Sequence, residues 1–283
     1  MSEFVASRKI GDATVTVISD GTLRWAPKFP ISEDERRRAM PDADDEGKLT
    51  LGLNLAHVRL GGASIVIDPG CDVPSSAWAR EFAAKWPGLT RSPGLEAALR
   101  QIDVDPGAVT HVLITHAHED HFAGVAAERG ADLVLRFPNA RHVIGRRDWE
   151  EHPSRKQPDS ALVRRLGLAA QRGLLDLMDE EREVAPGVTM AASPGETPGH
   201  CHVRVASGTR RFYYLGDLFH LTCEIEHVGW APPNRDVAAL TASRRRLLAD
   251  ASGHDSVLVF SHDRFPAWGR ITRAAEGYRW QQG

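Results

Sequence analysis

The sequence predicts a mixed α/β protein in which two sheets pack face to face and helices cover their outer surfaces. Strand patterns followed by helical patterns occur twice along the chain, roughly over residues 1–170 and 180–283, although no repeat is detectable in the residues themselves. A chain of 283 residues, 42% of them hydrophobic, can bury about three quarters of its unfolded surface without a disulfide scaffold. We therefore expect one domain, residues 1–283, whose two halves bring functional loops together along one edge.

The first half is predicted to supply one sheet and several helices. Alternating or apolar runs indicate strands at 13–18, 54–60, 63–68, 109–115 and 141–144. Gly61-Gly62 predicts a hairpin turn, and Ser19-Asp20-Gly21 predicts a turn after the first strand. Helical spacing indicates two helices within 75–102 and one each over 122–129 and 160–178, while the polar stretch 32–48 predicts a solvated helix face and loop.

The second half repeats this order. Strands are predicted at 188–192, 202–205, 212–215 and 256–260, followed by a closing hairpin over 269–280. A helix is predicted over 236–251, with the basic run Arg244 to Arg246 on its solvated face.

Charge and composition exclude several classes of function. Lys and Arg total 35 against 38 Asp and Glu, so the net charge of −3 gives no reason to bind nucleic acid. The mean hydropathy of −0.33 and the lack of a long apolar run argue against a membrane protein. The first residues contain no apolar stretch of signal-peptide length, so we expect a cytoplasmic protein. Three cysteines without CxxC spacing make a disulfide framework or a Cys-rich zinc site unfavourable, and Cys201 and Cys223 are expected to pack in small cores.

Thirteen histidines are an unusually large share, and four potential metal ligands stand within six residues. They are His116, His118, Asp120 and His121, placed where an apolar strand ends and a helix begins. His116 and His118 face the same way on an extended backbone, and the turn into the helix brings the other two to the opposite side. Neutral imidazole and carboxylate suit Zn²⁺ or a similar first-row divalent ion.

One ion cannot use all four groups and keep an open coordination position, so more ligands are expected downstream. His200 follows a proline-glycine turn, and Asp217 and His262 each follow a predicted strand. Strand ends are where a rigid scaffold places ligands accurately. Together these residues complete two coordination shells.

These motifs, in this order along the chain, resemble the metallo-β-lactamase superfamily. The resemblance implies a four-layer αββα sandwich that binds two divalent ions, with zinc as the first candidate and manganese, iron, cobalt or nickel as alternatives. It implies one ion on His116, His118 and His200, a second on Asp120, His121 and His262, and Asp217 bridging them. Asp68 matches a carboxylate that supports the ligand loop without binding metal.

The layout is most similar to the branch of methyl parathion hydrolase-like and acyl-homoserine lactonase-like enzymes. The segment 193–200 resembles its doubled TPGH turn, with Glu196 in place of the first histidine. His220 stands three residues after Asp217, where the lactonases carry a substrate-orienting tyrosine and methyl parathion hydrolase-like members carry histidine. A structural role is the alternative for His220. The resemblance implies hydrolysis of small esters or lactones, with phosphotriesters as a further substrate class.

The implied mechanism uses a metal-bridging hydroxide as the nucleophile. The candidate catalytic side chains are Asp120 and Asp217, which are the candidates for passing a proton to the leaving group, and His220 near the substrate. We expect a small-molecule substrate and an aromatic cavity wall, and a homodimer remains open. The candidates for the wall are Trp25, Phe29, Phe122, Trp149, Phe219, Trp230 and Phe265, although core packing is the simpler interpretation of each.

Two other functions remain open at this point. A glyoxalase II-like thioesterase shares the HxHxDH motif but needs basic residues for the glutathione carboxylates, and no dedicated pair is obvious in the sequence. A metal-binding protein without catalysis is the alternative of another class, and the complete ligand set argues against it.

Overall fold

A computed structural model describes residues 3–283, and it contains two large sheets and one small hairpin. The strands are β1 (Val5–Ile10), β2 (Ala13–Trp25), β3 (Leu49–Leu60), β4 (Ala63–Ile67), β5 (Thr90–Arg91), β6 (His111–Ile114), β7 (Ala126–Arg129), β8 (Asp132–Leu135), β9 (Arg141–Gly145), β10 (Leu175–Met178), β11 (Arg182–Ala185), β12 (Val188–Ala192), β13 (Cys201–Ser207), β14 (Arg210–Tyr214), β15 (Asp255–Val259), β16 (Trp268–Arg273) and β17 (Tyr278–Gln282). The helices are α1 (Glu33–Ala39), α2 (Ala77–Lys85), α3 (Leu95–Gln101), α4 (Glu119–Phe122), α5 (Arg146–Glu150), α6 (Ala161–Gln171) and α7 (Val237–Ser252).

The two sheets divide the chain between β10 and β11. The first has the order β1-β2-β3-β4-β6-β9-β10, with β5 beside β2, and its β4, β6, β9 and β10 are parallel. The second has the order β11 to β17, in which only the β14 and β15 pair is parallel among the described strands. Carboxyl ends of neighbouring parallel strands lie at the same edge of a sheet, so β4 and β6 end together, as do β14 and β15.

Apolar residues place the sheets face to face. Val17 and Ile65 of the first sheet share one buried core with Val203 and Val257 of the second. Helices α3 and α6 cover the outer face of the first sheet, and α7 packs its Leu247 against the second. The fold is therefore the four-layer αββα sandwich that the sequence resemblance implied. Within residues 3–283, no helix is both long enough and apolar enough to cross a bilayer.

Most predicted elements are confirmed, with helix starts fixed by capping side chains. Ser76, Ser160 and Asp236 each accept a backbone N–H hydrogen bond at the start of α2, α6 and α7. The Gly61-Gly62 hairpin, the two helices of 75–102, α1 in the polar stretch and the closing hairpin of β16 and β17 are all present. Strands β1, β5 and β11 and helix α5 were not predicted.

The predicted helix over 122–129 is wrong. Helix α4 ends at Phe122, Ala123–Val125 form a 3-10 turn, and the β7–β8 hairpin begins at Ala126. Arg165 of α6 donates hydrogen bonds to the Ala123 and Ala126 carbonyl oxygens at 2.8 and 2.6 Å, and the Asp72 carboxylate accepts from Glu128 N. The hydrogen bonds to Ala126 and Glu128 hold β7 in an extended conformation that the local spacing does not indicate.

Two other boundaries differ from the prediction. The helix predicted over 160–178 ends at Gln171, because Gly173 adopts a left-handed backbone with φ 67°, and the last residues form β10. The predicted turn at 19–21 lies inside β2 as a bulge, where the pairing with β3 shifts. A Cβ on Gly21 would stand 2.0 Å from the Thr90 carbonyl oxygen, so only glycine lets β5 approach there.

The prediction that Arg244 to Arg246 form a solvated face of α7 is wrong for Arg244. Arg244 is 0% exposed, whereas Arg245 and Arg246 are exposed. Its guanidinium pairs with Glu224 and donates to the carbonyl oxygens of Leu218, Val228 and Trp230. Helix periodicity turns this one position inward, and a buried carboxylate compensates its charge.

Candidate metal centre

The predicted ligands converge at the edge where strands of both sheets end. His116 follows β6 after one residue, and the HxHxDH segment continues into α4. Asp217 lies in a short 3-10 turn after β14, and His262 follows β15. His200 directly precedes β13. The parallel ends of β6, β14 and β15 therefore bring the two halves of the chain to one site.

The Asp217 carboxylate stands between two groups of side chains. Its Oδ2 faces three imidazoles: His116 Nε2 at 3.4 Å, His118 Nδ1 at 3.9 Å and His220 Nε2 at 3.3 Å. The ring nitrogens of His116 and His118 are themselves 2.7 Å apart. We call this group the Oδ2 side.

The other Asp217 oxygen, Oδ1, faces a second group. His121 Nε2 lies 3.2 Å away and His262 Nε2 lies 3.1 Å away. The Asp120 Oδ2 atom is 3.7 Å from both of these nitrogens. We call this group the Oδ1 side. Asp217 is thus placed to share its two oxygens between two neighbouring positions.

His200 differs from the other predicted ligands in the group that its side chain contacts. Its Nε2 accepts a hydrogen bond from the Asp217 backbone N–H at 3.0 Å, and its ring lies 5.1 Å from that of His116. Its Nδ1 is held by the Ser193 carbonyl oxygen at 3.1 Å, which leaves Nε2 as the nitrogen with a lone pair. His200 therefore borders the Oδ2 side, and in this structure its lone pair is directed at the backbone of Asp217.

Hydrogen bonds from neighbouring groups orient the imidazoles. Asp68 accepts from Thr115 N at 2.7 Å and from Thr115 Oγ1 at 2.8 Å, and its Oδ2 lies 2.7 Å from His121 Nδ1. His262 Nδ1 donates to the Gly52 carbonyl oxygen at 2.9 Å. Asp68 thus supports the ligand loop, as the sequence predicted, because it fixes which nitrogen of His121 faces Asp217.

Charges within the cluster shift the pKa values of its side chains. Burial raises the pKa of Asp217, but the histidines around it outweigh burial and hold that pKa well below its usual value. Burial lowers the pKa of His121, yet Asp217, Asp120 and Asp68 outweigh it and raise that pKa well above the usual value. For His116 burial prevails, with help from His121, and its pKa is lowered. The protonation state of each of these side chains therefore depends strongly on the charges of its neighbours.

The side chains present fit divalent metal ions. Asp217 Oδ1 and His121 Nε2 are buried, and neither atom has a hydrogen-bond partner of acceptable geometry among the described residues. Buried polar atoms are rarely left unpaired, so two such atoms 3.2 Å apart without a well-formed hydrogen bond indicate a cation site beside them. The histidine and carboxylate ligand atoms form overlapping groups within 4.8 Å of one another. Nitrogen and carboxylate ligands of this kind suit zinc and neighbouring metals.

Glu196 enters the site beside the Oδ2 side, and the sequence indicated no role for it. Its side chain is 0% exposed, and its Oε1 lies 3.7 Å from His118 Nδ1 and 4.0 Å from His220 Nε2. Arg235 forms an ion pair with the same oxygen at 2.5 Å. Arg235 was also missed, because a single arginine in a loop before α7 carries no pattern.

His220 lies flat within the cavity wall. Its ring stacks on Trp25 at 5.4 Å and on His262 at 5.5 Å. Burial lowers its pKa, but Asp217 and Glu196 outweigh burial and raise the pKa to about 9. The structure therefore brings His220 to the ligand cluster.

A cavity of about 350 Å³ opens onto this cluster. Its apolar wall is formed by Leu23, Trp25, Leu51, Phe82 and Trp86. Of the predicted aromatic wall, Trp25 alone lines this cavity; Phe29, Phe122, Trp149 and Phe219 are buried in the cores, and Trp230 and Phe265 pack against them.

Two basic side chains line the same cavity, where the sequence showed no dedicated pair. They are Lys85 and Arg235, and each is matched by a carboxylate of the wall. Lys85 Nζ lies 3.2 Å from Glu119 Oε2, and Arg235 pairs with Glu196. The cysteines take no part in disulfides: Cys71 and Cys201 are buried free thiols and Cys223 is half-buried.

Comparison with known proteins finds lactonases among those that this chain resembles. The N-acyl homoserine lactonase AttM of Azorhizobium caulinodans is 29% identical over 136 residues, which cover 45% of this chain and 47% of that protein, about half of its length. AttM of Rhizobium radiobacter is 25% identical over 233 residues, covering 77% of this chain and 83% of that protein. The crystal structure of AidC, a dizinc quorum-quenching lactonase in complex with a product, superposes with a TM-score of 0.77 at 21% identity over 99% of this chain and 97% of that one.

The family assignment follows from the fold, the site and a match over most of the chain. The sequence model of the metallo-beta-lactamase superfamily matches residues 56–262, a span that begins in β3 and ends at His262. Every ligand described above lies within that span. The chain therefore belongs to the metallo-beta-lactamase superfamily and is a metal-dependent hydrolase of that family.

Proposed function

We propose that residues 1–283 act as one catalytic domain, a dinuclear hydrolase of small esters or lactones, with phosphotriesters as a further substrate class. The observation that carries the proposal is the position of Asp217, whose two carboxylate oxygens each face a separate group of ligands. A single ion would need only one of these groups, whereas two neighbouring ions use both.

We assign one ion to His116, His118 and His200, a second to Asp120, His121 and His262, and both to Asp217. When bound, two divalent ions supply a hydroxide nucleophile at neutral pH and polarise the substrate oxygen. Asp120 is the better candidate for passing a proton to the leaving group. Both side chains line the cavity, but that of Asp120 is 16% exposed, whereas that of Asp217 is 4% exposed and enclosed by imidazoles.

The cavity wall supports a neutral substrate with an apolar portion. Leucine and aromatic side chains line it, and the positive charges of Lys85 and Arg235 are already paired with carboxylates. The names of the AttM relatives support a lactone. A thioesterase acting on an anionic thioester is the second candidate, and it is favoured by the presence of these two basic side chains at the cavity.

Metal analysis and a substrate panel test the function together. We expect two ions per chain, hydrolysis of lactones or aryl esters, loss of activity with chelators, and no effect of serine- or cysteine-directed reagents. One ion at full occupancy would contradict the dinuclear proposal. If S-lactoylglutathione is hydrolysed with a kcat/KM about a hundredfold above every lactone and ester, roughly 2.7 kcal/mol in transition-state binding, the thioesterase replaces the ester or lactone hydrolase.

A further inference from the structure

Glu196 is a fully buried carboxylate that faces the Oδ2 side. Its side chain is 0% exposed, and its Oε2 atom makes no hydrogen bond with any described residue. Its Oε1 atom lies 3.7 Å from His118 Nδ1, and the ligand atoms of Glu196, His118 and Asp217 all lie within 4.8 Å of one another. A buried carboxylate oxygen without a partner needs a compensating group.

Arg235 does not account for this carboxylate completely. It supplies one positive charge at Oε1. The neighbouring Asp217 adds a second buried carboxylate to the same small space, and imidazoles that bind a metal ion are neutral and cannot balance it. A divalent cation between Glu196, His118 and Asp217 would supply the missing charge.

The turn that carries Glu196 is held from two sides. The Gly195 carbonyl oxygen accepts from Asp236 N at 3.1 Å, and the Pro194 carbonyl oxygen accepts from Ser243 Oγ at 2.9 Å, so α7 fixes one side. Thr197 Oγ1 donates to Asp148 at 2.7 Å on the other. The carboxylate between these anchors therefore has little freedom to turn away from the cluster.

We propose that Glu196 is a ligand of the ion on the Oδ2 side, together with His116, His118, His200 and Asp217. The proposal rests on the dinuclear function stated above and adds a carboxylate to the ligand set implied by the family resemblance. A second carboxylate gives this ion a ligand set with more hard oxygen donors, which favours manganese or iron relative to zinc. Arg235 then pairs with the same Glu196 oxygen, Oε1, that faces His118, and Oε2 has no hydrogen-bond partner among the described residues.

Zinc competition against a chromophoric chelator tests the assignment directly. Glu196→Gln keeps the shape of the side chain and removes its charge, and we expect one of the two ions to bind about a hundredfold more weakly while the other is unchanged. The ratio of manganese to zinc affinity at that ion should fall as well. In the cobalt-substituted protein, the loss of one ligand should increase the visible absorption, because lower coordination numbers absorb more strongly.

Two control variants separate ligation from other roles. Glu119→Gln removes one negative charge from the same cavity wall, where the carboxylate pairs with Lys85, and it should change zinc affinity less than about threefold. Arg235→Gln removes the partner of Glu196 and a nearby positive charge, so zinc affinity should stay the same or rise. Opposite effects of Glu196→Gln and Arg235→Gln support ligation.

Three results would overturn the assignment. The first is that Glu196→Gln has the zinc affinity and cobalt spectrum of wild type. The second is that Glu196→Gln changes zinc affinity no more than Glu119→Gln does. The third is an equal loss of zinc affinity in Glu196→Gln and Arg235→Gln, which would show that the ion pair only maintains the turn. Wild-type protein that binds two ions and hydrolyses esters while Glu196→Gln binds zinc normally overturns this assignment alone. If wild type binds a single ion, the dinuclear function fails, and Glu196 is judged by the same comparison at that ion.

Discussion

The Glu224 carboxylate accepts a hydrogen bond from the backbone N–H of His220 at 2.6 Å. The same oxygen accepts from Leu221 N at 2.7 Å, and the other oxygen pairs with Arg244 of α7. Both Glu224 and Arg244 are 0% exposed. The loop that presents Asp217 and His220 to the cavity is therefore fixed from beneath by an enclosed ion pair.

Replacing Arg244 should destabilise the whole fold. Arg244→Leu leaves the Glu224 charge buried without a partner, and we expect the free energy of unfolding to fall by about 3–5 kcal/mol in urea titrations. The matched control is Arg245→Leu, an exposed neighbour on the same helix, which should change stability by less than about 0.5 kcal/mol. Similar losses in both variants would show that the enclosed pair has no special contribution.

Replacing Asp217 should affect both metal positions. Asp217→Asn preserves the shape of the side chain but removes the charge shared by the Oδ1 and Oδ2 sides. We expect no measurable turnover and a lower content of both ions, measured by elemental analysis after dialysis. Glu119→Gln, on the same cavity wall, serves as the control and should retain both ions. Loss of one ion alone from Asp217→Asn would contradict a shared carboxylate.

Replacing His220 should separate substrate handling from metal binding. His220→Phe keeps a flat ring between Trp25 and His262, so we expect wild-type metal content with a changed rate or a changed preference among lactones, esters and phosphotriesters. Steady-state kinetics across that panel, with metal analysis of the same samples, provide the measurement. Metal loss as large as in Asp217→Asn would instead make His220 a ligand.

A buried histidine far from the site should make the protein sensitive to acid. Burial in β9 lowers the pKa of His142 from 6.5 to about 4, so below pH 6.5 the unfolded chain binds a proton that the folded chain does not. Stability is unaffected above that pH and falls by about 3 kcal/mol as the pH approaches 4. His142→Leu should lose correspondingly less stability over this range, measured as unfolding free energy relative to each protein's value at pH 8. Parallel curves for wild type and variant would refute this.

The residues of the candidate metal centre were predictable because their signals are local. His116, His118 and His121 stand a few residues apart at the end of an apolar strand, and Asp217 and His262 follow strands in the same way. The order of strands and helices in the two halves was predictable for the same reason, because each strand and each helix has its own periodic pattern of apolar residues. Gly173, which ends α6, carried a similar local signal that the spacing of leucines and alanines outweighed.

Other parts depend on contacts between residues far apart in sequence. No residue near Arg244 in the sequence indicates that its side chain pairs with Glu224. Likewise, nothing in 122–129 indicates that Arg165 and Asp72 form hydrogen bonds with its backbone. The cavity wall was missed for the same reason. Phe82 and Trp86 come from α2 and the residue after it, which look like an ordinary amphipathic helix until the fold places them beside His118.

The division of the ligands between the two sheets has a consequence for the lifetime of the protein in a cell. His116 to His121 belong to the first half of the chain, and Glu196, Asp217 and His262 belong to the second. Ions at the proposed positions would therefore cross-link the two halves. Such ions are lost when the halves separate, and they add stability that grows with the free metal concentration. Starvation for metal would thus lower activity and, by leaving the halves free to open, also expose the chain to proteases.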